Sequence, residues 1–142
     1  MSAFSLAGLL RLRHLEQESA GEELARANAN VRDNEHNQRR SRRALAGFGD
    51  AATSVETLRA IASARASSTV MLSELIAVAE IRASDAAAAQ AAYSEARRTA
   101  AGLEKLETRH NERVVNEELH AEQIVLDEIA SAAWYRNGGG NE

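Results

Sequence analysis

The residues best suited to chemistry here are four histidines, several closely spaced carboxylates, one arginine cluster and a Gly-x-Gly segment. Histidine holds metals and moves protons. Yet His14, His36, His110 and His120 form no His-Glu-x-x-His pattern and no ligand pair with convincing spacing. Glu104 and Glu107 share a helix face, as do Glu118 and Glu122. Two carboxylates do acid–base work only where a pocket separates their proton affinities, and on an exposed helix they are solvated. Gly47-x-Gly49 lacks the remaining glycines and the preceding strand of a phosphate loop. The run Arg39, Arg40, Arg42 and Arg43 has no stacking aromatic beside it, and the chain is acidic overall at −4, so nucleic acid is not the expected partner. No catalytic, metal or cofactor site is expected. Contact with other proteins is what remains.

The elements that would carry such contacts are helical. There is no proline to interrupt a long helix and no cysteine for a disulfide or thiolate site. Ala, Glu, Lys, Leu and Arg make up over half the 142 residues, the bias of long helices and coiled coils. The aromatics are only Phe4, Phe48, Tyr93, Trp134 and Tyr135. That is too little bulk for a thick globular core but enough for a thin seam. No unbroken run of about 18 apolar residues is seen, so neither a membrane span nor insertion is expected. The first twelve residues lack the charged and apolar regions of a signal peptide.

A first long helix is expected over residues 5–46, with Ser5 as its N-cap. Its seam reads Leu6, Leu10, Arg13, Gln17, Ala20, Leu24, Ala27, Val31, Asn34, Gln38, Ser41, Leu45 and Phe48, alternating steps of four and three. Polar Asn34, Gln38 and Ser41 are expected to make its middle soft. Gly47-Phe48-Gly49-Asp50 ends the helix. Thr53 and Glu56 read as a capping box opening a short helix over residues 53–66. Ser67-Ser68-Thr69 is either a joint or part of a continuous helix. A second long helix follows over residues 69–136, with a flexible tail at 137–142. It carries one heptad frame on Leu75, Val78, Ala89, Ala92, Ala96, Leu103 and Leu106, and another on Val115, Leu119, Leu126, Ile129 and Ala133. The change near His110 resembles a stutter.

At 1.5 Å per residue the second helix would span roughly 100 Å, so it must lie beside the first. The expected fold is all-α: one domain, an elongated antiparallel coiled-coil hairpin with a short helix near the turn, monomeric alone. Placing the open ends flush sets Leu6 near Trp134 and Arg13 near Asp127. It also gathers Glu16–Glu23 near Glu117–Glu122, and Arg39–Arg43 near Arg97 and Arg98. Those like-charge bands are either solvated faces or surfaces that a partner offsets.

Three stretches, in their order and spacing, resemble the FliJ family, the soluble coiled-coil component of the flagellar type III export apparatus. The first is Phe4-Ser5-Leu6-Ala7-Gly8-Leu9-Leu10-Arg11-Leu12-Arg13, leading to Glu16 and Glu18. The second is Leu103-Glu104-Lys105-Leu106-Glu107. The third is Glu122-Gln123 with Asp127-Glu128-Ile129-Ala130. The preference for Ala, and for Arg over Lys, departs from many members, and the Gly47–Asp50 break falls in a variable region. The resemblance implies a non-enzymatic stalk, similar to the coiled coil of the ATP synthase γ subunit. Its implied partners are a hexameric flagellar export ATPase, a membrane export-gate protein and export chaperones. Its implied place is cytoplasmic, peripheral at the inner face of the cell membrane at the flagellar base. The carried-over ring-facing candidates are Phe4, Leu6, Leu9, Leu10, Arg11 and Arg13 on one arm, and Asp127, Glu128 and Trp134 on the other. Leu6 and Leu10 belong to the seam more than to an interface. Leu9 and Leu12 lie off it, which makes Leu9 the better interface residue, and Trp134 is also a possible terminal plug. The stalk of a virulence-type secretion system and a generic coiled-coil scaffold are the competing readings.

Overall fold

A computed structural model describes residues 3–49 and 52–138. Two helices account for nearly all of them: α1, Ala7–Gly47, and α2, Val55–Gly138. No strand occurs among the described residues. The fold is an all-α hairpin of two long helices packed against each other. The packing divides into two units, Met1–His14 with Arg98–Glu142 and Leu15–Arg97.

In the second unit the two helices run antiparallel from the turn. Gly47 ends α1, and Arg65 of α2 donates to the Phe48 carbonyl at 3.0 Å, a cation at an otherwise open helix C-terminus. Ser54 caps α2. Its Oγ accepts the Thr57 N–H at 3.1 Å, and its carbonyl accepts the Leu58 N–H at 3.0 Å. The cap is therefore Ser54, one residue beyond the expected Thr53. The separate helix over 53–66 does not exist, because α2 runs unbroken through Ser67-Ser68-Thr69. Thr69 turns its hydroxyl back to the Arg65 carbonyl at 2.8 Å, which satisfies the side chain without breaking the backbone ladder.

Facing pairs set the register in this unit. Asn34 Nδ2 donates to the Leu75 carbonyl at 3.0 Å, and Asn34 Oδ1 accepts from Gln38 Nε2 at 2.7 Å. Asn34 is buried. The polar middle of the seam thus carries a cross-helix hydrogen bond. Nearer the other end, the Tyr93 ring packs over Gly21, where an added Cβ would meet Cε2 at 3.4 Å. Arg39–Arg43 accordingly lie across from residues near Ser68 and Leu75, not Arg97 and Arg98. Glu18–Glu23 lie near Tyr93, not Glu117–Glu122. The expected like-charge bands do not form.

In the first unit the Phe4 and His110 rings pack with centroids 5.6 Å apart, and His14 Nε2 meets Glu104 Oε1 at 2.7 Å. Leu6 therefore falls opposite residues between 104 and 110, and not near Trp134. Ser5 sits in a turn closed by the Ala7 N–H and the Phe4 carbonyl at 3.1 Å, ahead of the cap position.

The core is as thin as its composition requires. Only Leu10, Ala100 and Asn34 are buried among the described residues. Every expected α1 seam position is buried or half-buried, apart from the first, Leu6. On α2 the seam takes Leu75, Ala79, Arg82, Ala86, Ala89, Tyr93, Ala96, Ala100, Leu103, Glu107, His110 and Val114. Val78, Ala92 and Leu106 of the expected frame are exposed. The seam passes His110 without a change of frame, so no stutter exists there. The expected second frame lies outside the seam. Its four large residues Val115, Leu119, Leu126 and Ile129 are all exposed. The expected tail falls partly within α2, which includes Asn137 and Gly138; residues 139–142 lie outside those described. Asp50, in the expected helix end, also lies outside them.

One further feature departs from the sequence expectation. α2 contains an 18-residue window of mean hydropathy 1.2 with no more than two charged side chains, enough by length and composition alone to cross a membrane. A search for unbroken apolar runs misses it, because isolated Ala and Ser count little against large aliphatics such as Val70, Met71 and Ile76.

Candidate functional site: the protein-facing surface of the first unit

The geometry offers side-chain surfaces rather than a cavity. Shallow grooves such as that lined by Thr108, Asn111, Glu112, Val115 and Asn116 belong to α2 alone. They are the spaces between neighbouring turns of one helix. Among the described residues no three His, Cys, Asp or Glu side chains are placed to hold a metal ion. Of the paired carboxylates, Glu104, Glu118 and Glu122 are exposed and Glu107 is half-buried.

The first motif folds as the sequence divides it. Leu10 is 6% exposed against α2, while Leu9 at 38% and Leu12 at 49% stand open. Helical geometry explains the split. Residues one and two positions from a seam residue point roughly 100° and 200° away from it. Phe4 is half-buried on His110, so much of its ring is already engaged within the chain. Leu6 and Arg11 are exposed, and Arg13 is half-buried.

The second motif meets the first. Leu103 is half-buried in the seam, and Glu104 pairs with His14 next to Arg13. Lys105 and Leu106 face outward. The first two family-like stretches thus form one layer of the hairpin, joined by a contact that sequence reading missed. A histidine ninety residues from its partner leaves no local signal.

The third stretch is elsewhere on α2. Asp127, Glu128 and Trp134 are exposed. Asp127 lies seventeen residues beyond His110, roughly 25 Å along the helix. The expected nearness of Arg13 to Asp127 is therefore absent. Trp134 plugs no hairpin end. Its ring packs edge-on against Tyr135 at 5.2 Å and over Gly138 on its own helix. The flush-ended register failed because hairpin pairing counts outward from the turn, and the two helices are unequal, 41 residues against 84.

In the first unit the hairpin has a thin seam and leaves Leu9 and Leu12 open, a surface of the kind that suits contact with other proteins. The chain matches the family model described as the flagellar FliJ protein over residues 1–139. It therefore belongs to the FliJ family and is a coiled-coil component associated with flagellar type III export. That family is one of structural stalks, and its members interact within the export apparatus. No curated protein and no solved structure matches the chain.

Proposed function

We propose that this chain is the stalk of the export machinery: its first unit binds the hexameric flagellar export ATPase and links it to the export gate and export chaperones. It does so without binding nucleotide, from the cytoplasmic side at the flagellar base. The observation that supports the reading is the open pair Leu9 and Leu12 beside buried Leu10, inside the stretch that most resembles the family. Apolar side chains left open next to arginine suit a ring lined by loops: the leucines anchor, and Arg11 steers. Phe4 and Leu6 supply the edge of the same surface, and Asp127, Glu128 and Trp134 form a second, separate contact region along α2.

The test is stimulation of the ATPase by purified chain. Leu9→Asp should abolish stimulation and pull-down, since a carboxylate driven into an apolar contact costs on the order of a few kcal/mol. Circular dichroism should stay unchanged, because Leu9 lies outside the seam. Leu24→Asp, in the seam of the other unit, should instead lose helicity. Full stimulation by Leu9→Asp would remove this surface from the ATPase contact.

A further inference from the structure

The heptad frame of α2 changes where its cover ends. Up to Val114 the inward residues are buried or half-buried, and Phe4, just ahead of α1, packs on His110. Beginning with the next residue, Val115, Leu119, Leu126 and Ile129 recur at heptad spacing, with Glu122 and Ala133 completing the frame. This stripe sits one residue round from the old seam, about 100° away. Helix propensity does not ask for heptad spacing, because alanine or lysine would serve an exposed helix as well. All four large residues are between 52% and 64% exposed. A narrow stripe of this period is the seam of a coiled coil, and nothing among the described residues of this chain occupies it.

Charge indicates what would fit. Residues 115–138 hold Glu117, Glu118, Glu122, Asp127 and Glu128 against Arg136 alone. Glu118 flanks the stripe and Glu122 interrupts it. A second copy would bring the same acidic surface against itself, and an anionic lipid face would be repelled. A helix with leucine-type residues at heptad spacing and lysine or arginine beside them would bury the stripe and neutralise both glutamates.

We propose that residues 115–133 of α2 receive a basic amphipathic helix of a partner protein, seated on Val115, Leu119, Leu126 and Ile129. This deepens the proposed function, on which it rests for the second contact region at Asp127 and Glu128, while the ATPase anchor itself is at Leu9 and Leu12; it holds whichever export component supplies the helix.

The probe is a fluorescent synthetic helix of about four heptads, leucine in the seam and lysine on both flanks, which does not pair with itself because of its own charge. Its match carries glutamate on the flanks instead. Binding to the full chain is read by anisotropy, and the oligomeric state of the chain alone by sedimentation. The basic peptide should bind and gain helicity, and the acidic one should not. Leu126→Asp should weaken binding by more than about tenfold while leaving the chain's own melting unchanged. Glu118→Lys with Glu122→Lys should reverse the preference to the acidic peptide. Leu9→Asp should bind the basic peptide normally, so failure of the ATPase assignment and failure of this one are told apart. Equal binding of both peptides, indifference to Leu126→Asp, self-association lost with Leu126→Asp, or association of the chain with anionic lipid vesicles through the stripe would each overturn the proposal.

Discussion

Residues 98–114 and 115–138 of α2 belong to one unbroken helix in one unit, yet they are held by different forces. The first stretch holds the buried or half-buried Ala100, Leu103, Glu107, His110 and Val114 and gains a cross-helix bond between Glu104 and His14. In the second, every described side chain except Ala133 is exposed. Both have strong helix formers and large aliphatics. Helix is therefore a property of the sequence throughout, whereas burial depends on whether a neighbour is present. In proteins most helical stability comes from packing of a helix face rather than from propensity. The covered stretch is stabilised by tertiary packing, and the uncovered one waits for a partner.

The largest expected effect sharpens that contrast. Leu10→Asp should destabilise the hairpin by more than about 3 kcal/mol, since it places an unpaired carboxylate in the seam. Leu126→Asp should change thermal stability by less than about 0.5 kcal/mol. Equal losses would mean that the uncovered stretch is packed in solution. Amide exchange reads the same contrast without mutation: residues 116–132 should exchange well before residues 99–110, in line with local contact density. Uniform protection along α2 would break the comparison.

Asn34 is expected to come next. Asn34→Ala removes the bond to the Leu75 carbonyl and leaves Gln38 without its acceptor, which should cost about 1–2 kcal/mol. Asn34→Leu should recover that stability while loosening the register, as polar seam residues specify alignment at a cost in stability. A cysteine pair placed to report the Asn34–Leu75 register would measure this, and unchanged cross-linking in both variants would rule the role out. Ser54→Ala should cost about 1 kcal/mol through loss of the α2 cap, whereas Thr53→Ala should cost almost nothing. The smallest effect is expected at Gly21. Alanine there gains up to about 1 kcal/mol of helix propensity but meets the Tyr93 ring at 3.4 Å. The net change in melting should stay within about 0.5 kcal/mol. Gly21→Leu should instead displace the ring and destabilise.

The seam of α1 was legible because its large residues repeat strictly, from Leu10 through Leu24 and Val31 to Leu45. On α2 alanine blurs the repeat. Seam alanines such as Ala86, Ala89 and Ala96 look like the exposed Ala83, Ala87, Ala88 and Ala92 in sequence, so Ala92 is as good a seam choice as Tyr93 until the glycine opposite is known. The candidate interface residues Leu9 and Leu12 could be read from their distance to Leu10. The separation of Asp127 and Trp134 from them could not, since it depends on pairing across the hairpin.

The sequence by itself determined the helical class, the end of the first helix at Gly47, nearly all of α1's seam and the absence of cysteine or proline chemistry. These are local quantities, set by propensity, capping and the period of large apolar residues. Only the tertiary structure decided the register: that Phe4 meets His110, that Glu104 meets His14, and that the frame beginning at Val115 is left open. An alanine-rich seam is nearly degenerate to a shift by a heptad, because one alanine layer packs much like the next. The choice falls to a few specific contacts: Arg65 on Phe48, Asn34 on Leu75 and Tyr93 on Gly21. They exist only once both helices are in place.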